Sequence, residues 1–414
     1  MRFFYSLLTT LLTPLALVRL QRDERKPGRW RERLGRIPET TPGQIWVHAA
    51  SVGEINAART LIGRLLEREA TLLVTTMTAS GAQRCRELFG ERVEHRYLPL
   101  DNPFATKAWL RRARPRAGLI VETEIWPGLY AHCQRLNLPL LLVSARISDV
   151  ALKRYRRFSR LFGRALDSVA YATCQSRADA DRLHQLGLSR SRMAVTGNLK
   201  FDIDLSPDIS RLAAELRVRW GGRAGWTAGS TRPGEEEVLM EAHRRLQAEQ
   251  PKALLVLAPR HPQRTNEIAQ RLERSDLTWC RFGEPTEPMV DVILIDRLGL
   301  LMPCYAATEA AFVGASLVAL GGHNLLEPAL LGRPVLAGPH LNQQAEARTA
   351  LEQSGGLIQV EDASELAAML LALFQNPERA KRLGESARQA VESGRGSLAR
   401  TLLALQPWLD RSAP

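Results

Sequence analysis

Two carboxylates stand where apolar runs end, and these are the first residues that could do chemistry. The run Ile45–His48 passes through Ala49-Ala50-Ser51-Val52-Gly53 into Glu54, and the run 118–121 passes straight into Glu122-Thr123-Glu124-Ile125-Trp126-Pro127. A loop of small residues between a strand and a helix lets backbone amides approach an anion or a sugar. Glu54 in the first helical turn then faces whatever binds there, suited to general acid–base work. It also complements the helix dipole, worth a few tenths to about 1 kcal/mol, and the residues alone leave both readings open. Glu122 continues an apolar strand, so it is half buried and calls for a partner. Thr123 reads as a helix cap with Glu124 in the first turn. A third group follows the run 193–196: Gly197-Asn198-Leu199-Lys200 ends in a cation that reaches a phosphate or carboxylate, or else lies on the surface.

Further along, the signals are those of anion binding. The run 253–258 enters Pro259-Arg260-His261-Pro262, whose two prolines fix the backbone so that Arg260 projects from a strand end. An arginine so placed suits bidentate phosphate recognition, or is simply a solvated side chain on a rigid turn. Gly321-Gly322-His323-Asn324-Leu325-Leu326-Glu327-Pro328 is a glycine-rich loop opening a helix. Asn324 as N-cap with Glu327 at N3 makes a capping box. The same free amides suit a phosphate, with Glu327 accepting from a ribose hydroxyl. Asp202-Ile203-Asp204 and Asp179-Ala180-Asp181 have the spacing of metal-holding acidic pairs, but one falls in a linker and the other in a helix, so no metal is expected. There is no Walker A segment, no GxGxxG after a strand, no HExxH and no serine nucleophile elbow.

These groups need strands and helices to hold them, and the chain alternates the two as parallel-sheet proteins do. Strands are expected at 45–48, 72–75, 118–121, 140–144, 169–174 and 193–196, with helices at 55–68, from Pro127, and at 178–186. After an aperiodic stretch at 201–208 the alternation restarts. Strands are expected at 226–229, 253–258, 292–295, 310–313 and 334–336, with helices at 235–249, 266–274 and 325–331 and a helical tail at 364–405. The fold class is α/β, two open domains of similar size over 37–205 and 206–414, and such sheets bind ligands beyond their strand C-termini.

Residues 1–36 form a separate segment. From Phe3 to Val18 there is no charge, and a basic run follows from Arg19 to Arg36 that includes Arg25, Lys26, Arg29 and Arg33. Sixteen residues fall just short of a bilayer span, and no small-x-small cleavage site follows. The expectation is membrane anchoring or surface docking with the basic side cytoplasmic and Trp30 at headgroup level, against the alternative of a buried N-terminal helix. Charge agrees: 57 Lys+Arg against 44 Asp+Glu give +13, which asks for a polyanionic partner. In the basic stretch 153–160, Tyr155, Phe158, Leu161 and Phe162 share one helix face. That favours anionic lipid or a phosphorylated acceptor over nucleic acid. Five cysteines without a CxxC pair fit neither a disulfide framework nor a zinc site and suit a reducing compartment.

Taken together, SVGE at 51–54, TTMTASG at 75–81, ETEIWP at 122–127, ARIS at 145–148, TGNLKFD at 196–202, PRHP at 259–262 and GGHNLLE at 321–327 resemble one family. It is the bacterial 3-deoxy-D-manno-octulosonic acid (Kdo) transferases of lipopolysaccharide synthesis. The resemblance implies the GT-B architecture of two Rossmann-like domains, and inverting transfer of Kdo from CMP-Kdo to a lipid A precursor without cofactor or metal. It implies Glu54 as general base and Glu122 and Lys200 as supports of the transition state. Pro259 and Arg260, Leu298, Gly299 and Leu300, and Asn324, Leu325, Leu326 and Glu327 would bind the donor. Leu298-Gly299-Leu300 departs from the Met-Gly-Glu expected there, a change that backbone contacts survive and a side-chain contact from the last position does not. The resemblance also implies the cytoplasmic face of the inner membrane as partner. The rival readings are a GT-B transferase or epimerase using a UDP-sugar, and a membrane-docked scaffold without activity.

Overall fold

Alternate residues of each interior strand enter opposite hydrophobic clusters, as the two-residue period of a strand buried on both faces requires. The computed structural model describes residues 2–23, 30–203, 205–284 and 289–410. It divides into two compact units, Met1–Asp202 with Gly394–Pro414, and Ile203–Ser393.

The first unit holds seven parallel strands: β1 (Ile45–His48), β2 (Leu72–Thr76), β3 (Glu94–Tyr97), β4 (Ala117–Val121), β5 (Leu140–Ala145), β6 (Val169–Cys174) and β7 (Met193–Val195), in the order β3-β2-β1-β4-β5-β6-β7. Trp46, Leu73, Ile120 and Leu142 point into one core, while Val47, Val74, Leu119 and Val143 point into the other. The order reverses between β1 and β4, which pair directly. Glu54 follows β1 and Glu122 follows β4, so both carboxylates flank the switch point where open α/β sheets bind ligands.

The second unit repeats the plan with β8 (Gly225–Thr231), β9 (Leu254–Pro259), β10 (Trp279–Arg281), β11 (Val292–Leu294), β12 (Ala310–Val313), β13 (Val335–Ala337) and β14 (Leu357–Gln359), ordered β10-β11-β9-β8-β12-β13-β14. Its switch point lies between β8 and β12. The loops leaving these two strands touch there. A Cβ at Gly314 would lie 2.6 Å from the Ser230 carbonyl oxygen and 2.8 Å from Thr231 Cα, so only glycine fits.

Three strands escaped the sequence reading: β3, β10 and β14. All are short edge strands, buried less completely than the interior ones, so they lack a full apolar run. The helix expected at 55–68 is two helices, Val52–Ala57 and Arg59–Glu67. The larger difference is the tail. The second domain was expected to run to 414, but the helix Ser397–Leu409 belongs to the first unit and buries Leu398, Leu402, Leu405 and Leu409 in its core. Asp202 holds the start of this helix, accepting from the backbone N–H of Gly396 at 2.7 Å and of Leu398 at 2.6 Å.

Phe3–Val18 lies in the helix Arg2–Asp23, and among the described residues no helix is long and apolar enough to cross a membrane. Its apolar side is not in the core: Phe3 is 74% exposed and Leu15 67%. The opposite side is polar and anchored, with Tyr5 donating to Asp101 at 2.7 Å and Asn102 donating to Thr13 at 3.0 Å. Of the basic run, Arg25, Lys26 and Arg29 lie outside the described residues. Arg33 is no surface charge; it is buried, donates to the carbonyl of Leu98 at 3.1 Å and covers the Tyr97 ring. The stretch 153–160 breaks at Phe158 into the helices Asp149–Arg157 and Ser159–Leu166. Tyr155 and Leu161 turn inward, while Phe158 is exposed together with Lys153, Arg154, Arg156, Arg157 and Arg160.

Candidate active site

Glu54 is positioned by its own helix start. Ser51 is the N-cap: its hydroxyl accepts from the Glu54 N–H at 3.4 Å and donates to Oε1 at 3.2 Å, while Ala50 N–H donates to Oε2 at 2.6 Å. This is a capping box shifted one residue outward. The Ala50 amide, which the sequence offered to a ligand, is therefore occupied by the carboxylate. Burial pushes the Glu54 pKa up to about 7; the Ala50 hydrogen bond opposes the shift, and the charges of Glu122 and Glu124 add to it. A carboxylate titrating there can hold and release a proton near neutral pH.

Glu122 sits at φ 57°, a left-handed conformation that a side chain disfavours. Its N–H still donates to Val143 O at 2.8 Å, so the strand pairing is kept while the chain turns sharply away. The half-buried carboxylate finds the partner its position demanded: Lys200 Nζ lies 3.1 Å from Oε1. Lys200 reaches it from the 3-10 turn Leu199–Phe201, whose start is capped by Asn198 accepting from the Lys200 N–H at 2.9 Å. Glu54, Glu122 and Lys200 are thus brought together in one unit. Glu124 was passed over as a first-turn acid, yet burial raises its pKa, with the charge of Glu122 adding. Thr123 is not a helix cap. Its hydroxyl accepts from Arg146 N–H at 3.0 Å, and the helix Pro127–Arg135 starts without a side-chain cap.

The other candidates lie in the second unit. Pro259 ends β9, and Arg260 is half buried, with its N–H donating to Thr231 O at 3.1 Å. Asn324 accepts from Leu326 N–H at 3.1 Å and donates to Glu327 Oε1 at 3.2 Å. The expected capping box, with Asn324 as N-cap and Glu327 at N3, is not what forms: Asn324 stands one residue before the cap, the helix start carries no side-chain cap, and the Asn–Glu bond is made between side chains. The helix is only Leu326–Leu330, with Leu325 at its cap. Leu298-Gly299-Leu300 forms an exposed turn before the helix Leu301–Ala307, with Gly299 at φ 90° and Leu298 75% exposed. An apolar side chain so exposed offers no polar group, so only the backbone of this turn presents hydrogen-bonding atoms to solvent.

One residue was missed outright. Glu235 is fully buried, and its carboxylate accepts from four backbone amides: Arg232 at 2.9 Å, Ala315 at 2.7 Å, and Ser316 and Leu317 at 3.0 Å. It ties the loop after β8 to the loop after β12. Its signal was the acidic run after Gly234, which resembles an ordinary helix start.

The acidic pairs do other work. Asp202 holds the tail helix, and Asp179 accepts from Ile147 N–H at 2.9 Å and from the Ser176 hydroxyl at 2.5 Å. Asp204 lies outside the described residues. Among the described residues no cluster of three or more His, Cys, Asp or Glu is placed to hold a metal ion.

Comparison with known proteins gives the family. The family model for 3-deoxy-D-manno-octulosonic-acid transferase matches residues 28–203. A 3-deoxy-D-manno-octulosonic acid transferase of Haemophilus influenzae is 34% identical, and one of Bordetella pertussis 37% identical, each alignment covering 99% of both chains. The fold is shared with the UDP-GlcNAc 2-epimerase of Neisseria meningitidis, at 13% identity and a TM-score of 0.55 over 88% of this chain and all of that one. Identity at this level over the full length shows that the chain belongs to the Kdo transferase family of glycosyltransferases.

Proposed function

We propose that the protein transfers Kdo from CMP-Kdo to a sugar hydroxyl of a lipid A precursor in lipopolysaccharide synthesis, with inversion and release of CMP. The observation that carries this reading is Glu54, a fixed carboxylate with a pKa of about 7 beside the Lys200–Glu122 pair. Glu54 takes the acceptor hydroxyl proton as that oxygen bonds to the ketosidic carbon. The bond from that carbon to the phosphate oxygen breaks, and its electron pair leaves with CMP. Lys200 and Glu122 support the charge that develops, and Arg260 meets the phosphate. Asn324–Glu327 and the backbone of the 298–300 turn hold the nucleotide.

The test is direct: supply CMP-Kdo and a tetraacylated lipid A precursor, then weigh the products. A UDP-sugar enzyme would release UDP instead, and a scaffold would release neither. Because Asp179 and Asp202 are engaged by backbone and hydroxyl donors, saturating EDTA is expected to leave the rate intact. A rate abolished by EDTA and restored by Mg²⁺ would revive a metal role.

The same reading places the enzyme at the cytoplasmic face of the inner membrane. It is supported by the helix Arg2–Asp23, which is held by its polar side and leaves Phe3, Phe4, Leu7, Leu8, Leu11 and Leu15 outward. An amphipathic helix of this kind lies in the headgroup region. Phe104, 75% exposed, adjoins the Asn102 anchor of that helix. Deleting residues 1–18 is expected to leave a folded, donor-binding enzyme that floats less with anionic liposomes at high salt. Basic residues would still retain some of it at low salt, at about 1 kcal/mol each near the surface. Equal flotation of both forms at high salt would rule the helix out as the anchor.

A further inference from the structure

The loops leaving β8, β9 and β12 in the second unit hold a cationic cluster that the assigned donor residues do not use up. Arg260 has no carboxylate partner among the described residues, and neither has Arg232, on the loop after β8. Arg264, in the same neighbourhood, is already matched: it donates to the buried Glu236 at 2.7 Å and to Glu267 at 3.1 Å. The nearby acid Glu235 is taken up by its four amides. Two positive charges remain unbalanced.

Two imidazoles accompany them. Arg232 Nη1 lies 2.7 Å from His261 Nε2. A guanidinium only donates, so His261 offers a lone pair at Nε2 and keeps its proton on Nδ1. His323 Nε2 is shielded from solvent and has no hydrogen-bond partner among the described residues. Burial lowers the pKa of both rings, and the charges of Arg232 and Arg260 push the same way, so the rings stay neutral. The cluster therefore presents two fixed charges, with an unsatisfied ring nitrogen beside them.

A nucleoside monophosphate ester carries one negative charge at its phosphodiester, and Arg260 accounts for it. The second arginine calls for a second anion on the same ligand. We propose that Arg232, oriented by His261 and assisted by His323, binds the carboxylate of an acidic sugar in the donor, and so selects acidic nucleotide-sugars over neutral ones. This rests on the donor reading given above. It adds that donor choice is made at the sugar acid group as well as at the base. Glu235 holds the backbone of Arg232 at 2.9 Å, which fixes the guanidinium's point of origin. A planar fork on a fixed stem suits a carboxylate, where a lysine would supply only a point charge.

The experiment measures KM for CMP-Kdo and the inhibition constant for CMP in the unmodified protein and in Arg232→Gln. CMP has the phosphate but no carboxylate. KM is expected to rise roughly 10–100-fold, the loss of one charge-assisted bidentate contact, while CMP inhibits within about threefold of the original value. Arg232→Lys should fall between the two and serves in the same comparison if the Gln protein does not fold. Equal weakening of CMP and CMP-Kdo would show that Arg232 reads the phosphate and would overturn the proposal, as would an unchanged KM. Failure of the unmodified protein to use CMP-Kdo at all would instead overturn the donor reading, and the carboxylate site with it.

Discussion

Turnover by the Glu54→Gln protein is expected to fall roughly 10²–10⁴-fold with donor affinity nearly unchanged. Glutamine keeps the shape of the side chain but cannot accept the hydroxyl proton. The pH profile carries the same prediction. With a pKa of about 7, Glu54 is ionised in about half the molecules at that pH, and in about a tenth of them one unit lower. The unmodified enzyme should thus lose rate on the acid side of neutrality. Stability runs the other way. A folded-state pKa raised from 4.5 to about 7 means that the folded protein holds this proton more tightly than the unfolded chain. That contribution is full below the ordinary glutamate value and is lost as pH rises through 7, a change on the order of 3 kcal/mol. Glu54→Gln is relieved of it, so at pH 8 the variant should melt above the unmodified protein and at pH 4 close to it. Near-normal turnover in the variant would remove Glu54 from the mechanism.

The second large effect is expected at Lys200. Lys200→Met should lower kcat roughly 10²–10³-fold, the range for removing a fixed donor from a site of developing charge. It has a further signature. Glu122 already raises the pKa of Glu54, and Lys200 at 3.1 Å offsets that charge. Without the lysine, Glu122 acts on Glu54 uncompensated, so the acid limb of the rate profile should move to higher pH. Adding Glu122→Gln should bring the limb back without restoring turnover. A limb that stays in place in Lys200→Met, with kcat retained, would reduce the ion pair to a structural contact.

Much of this arrangement could be read from residue order, for physical reasons. Interior strands of a parallel sheet are buried on both faces, so β1, β4 and β9 stand out as apolar runs and the residues just beyond them are marked as candidates. Edge strands such as Glu94–Tyr97 carry no such run and were missed. The left-handed turn at Glu122 was hidden because nothing in the residue type requires it. Arg232 was hidden differently: Thr231-Arg232-Pro233 leaves β8 much as Pro259-Arg260 leaves β9, but no periodicity shows that the two strands are neighbours and that their loops meet. The Asn-x-x-Glu spacing at 324–327 suggests a capping box that does not form, because Leu325 takes the cap, whereas the same spacing at Ser51–Glu54 does hold a carboxylate at its helix start. Helical periodicity, in turn, reports that residues 397–409 have an apolar face but not which sheet it covers.

That last point bears on how the protein is made. The unit containing Glu54, Glu122 and Lys200 is not continuous in the chain, because the helix Ser397–Leu409 supplies Leu398, Leu402, Leu405 and Leu409 to its core. Each of these leucines, if truncated, would cost about 2–5 kcal/mol. A nascent chain that has reached Asp202 therefore lacks part of the cover for one face of its sheet, and Asp202 itself still awaits the two amides that donate to it. At 5–20 residues per second the ribosome needs roughly 10–40 s more to deliver them. The second unit, uninterrupted in sequence, is synthesised whole within that interval. The half bearing the base is the first to be synthesised and the last to be finished.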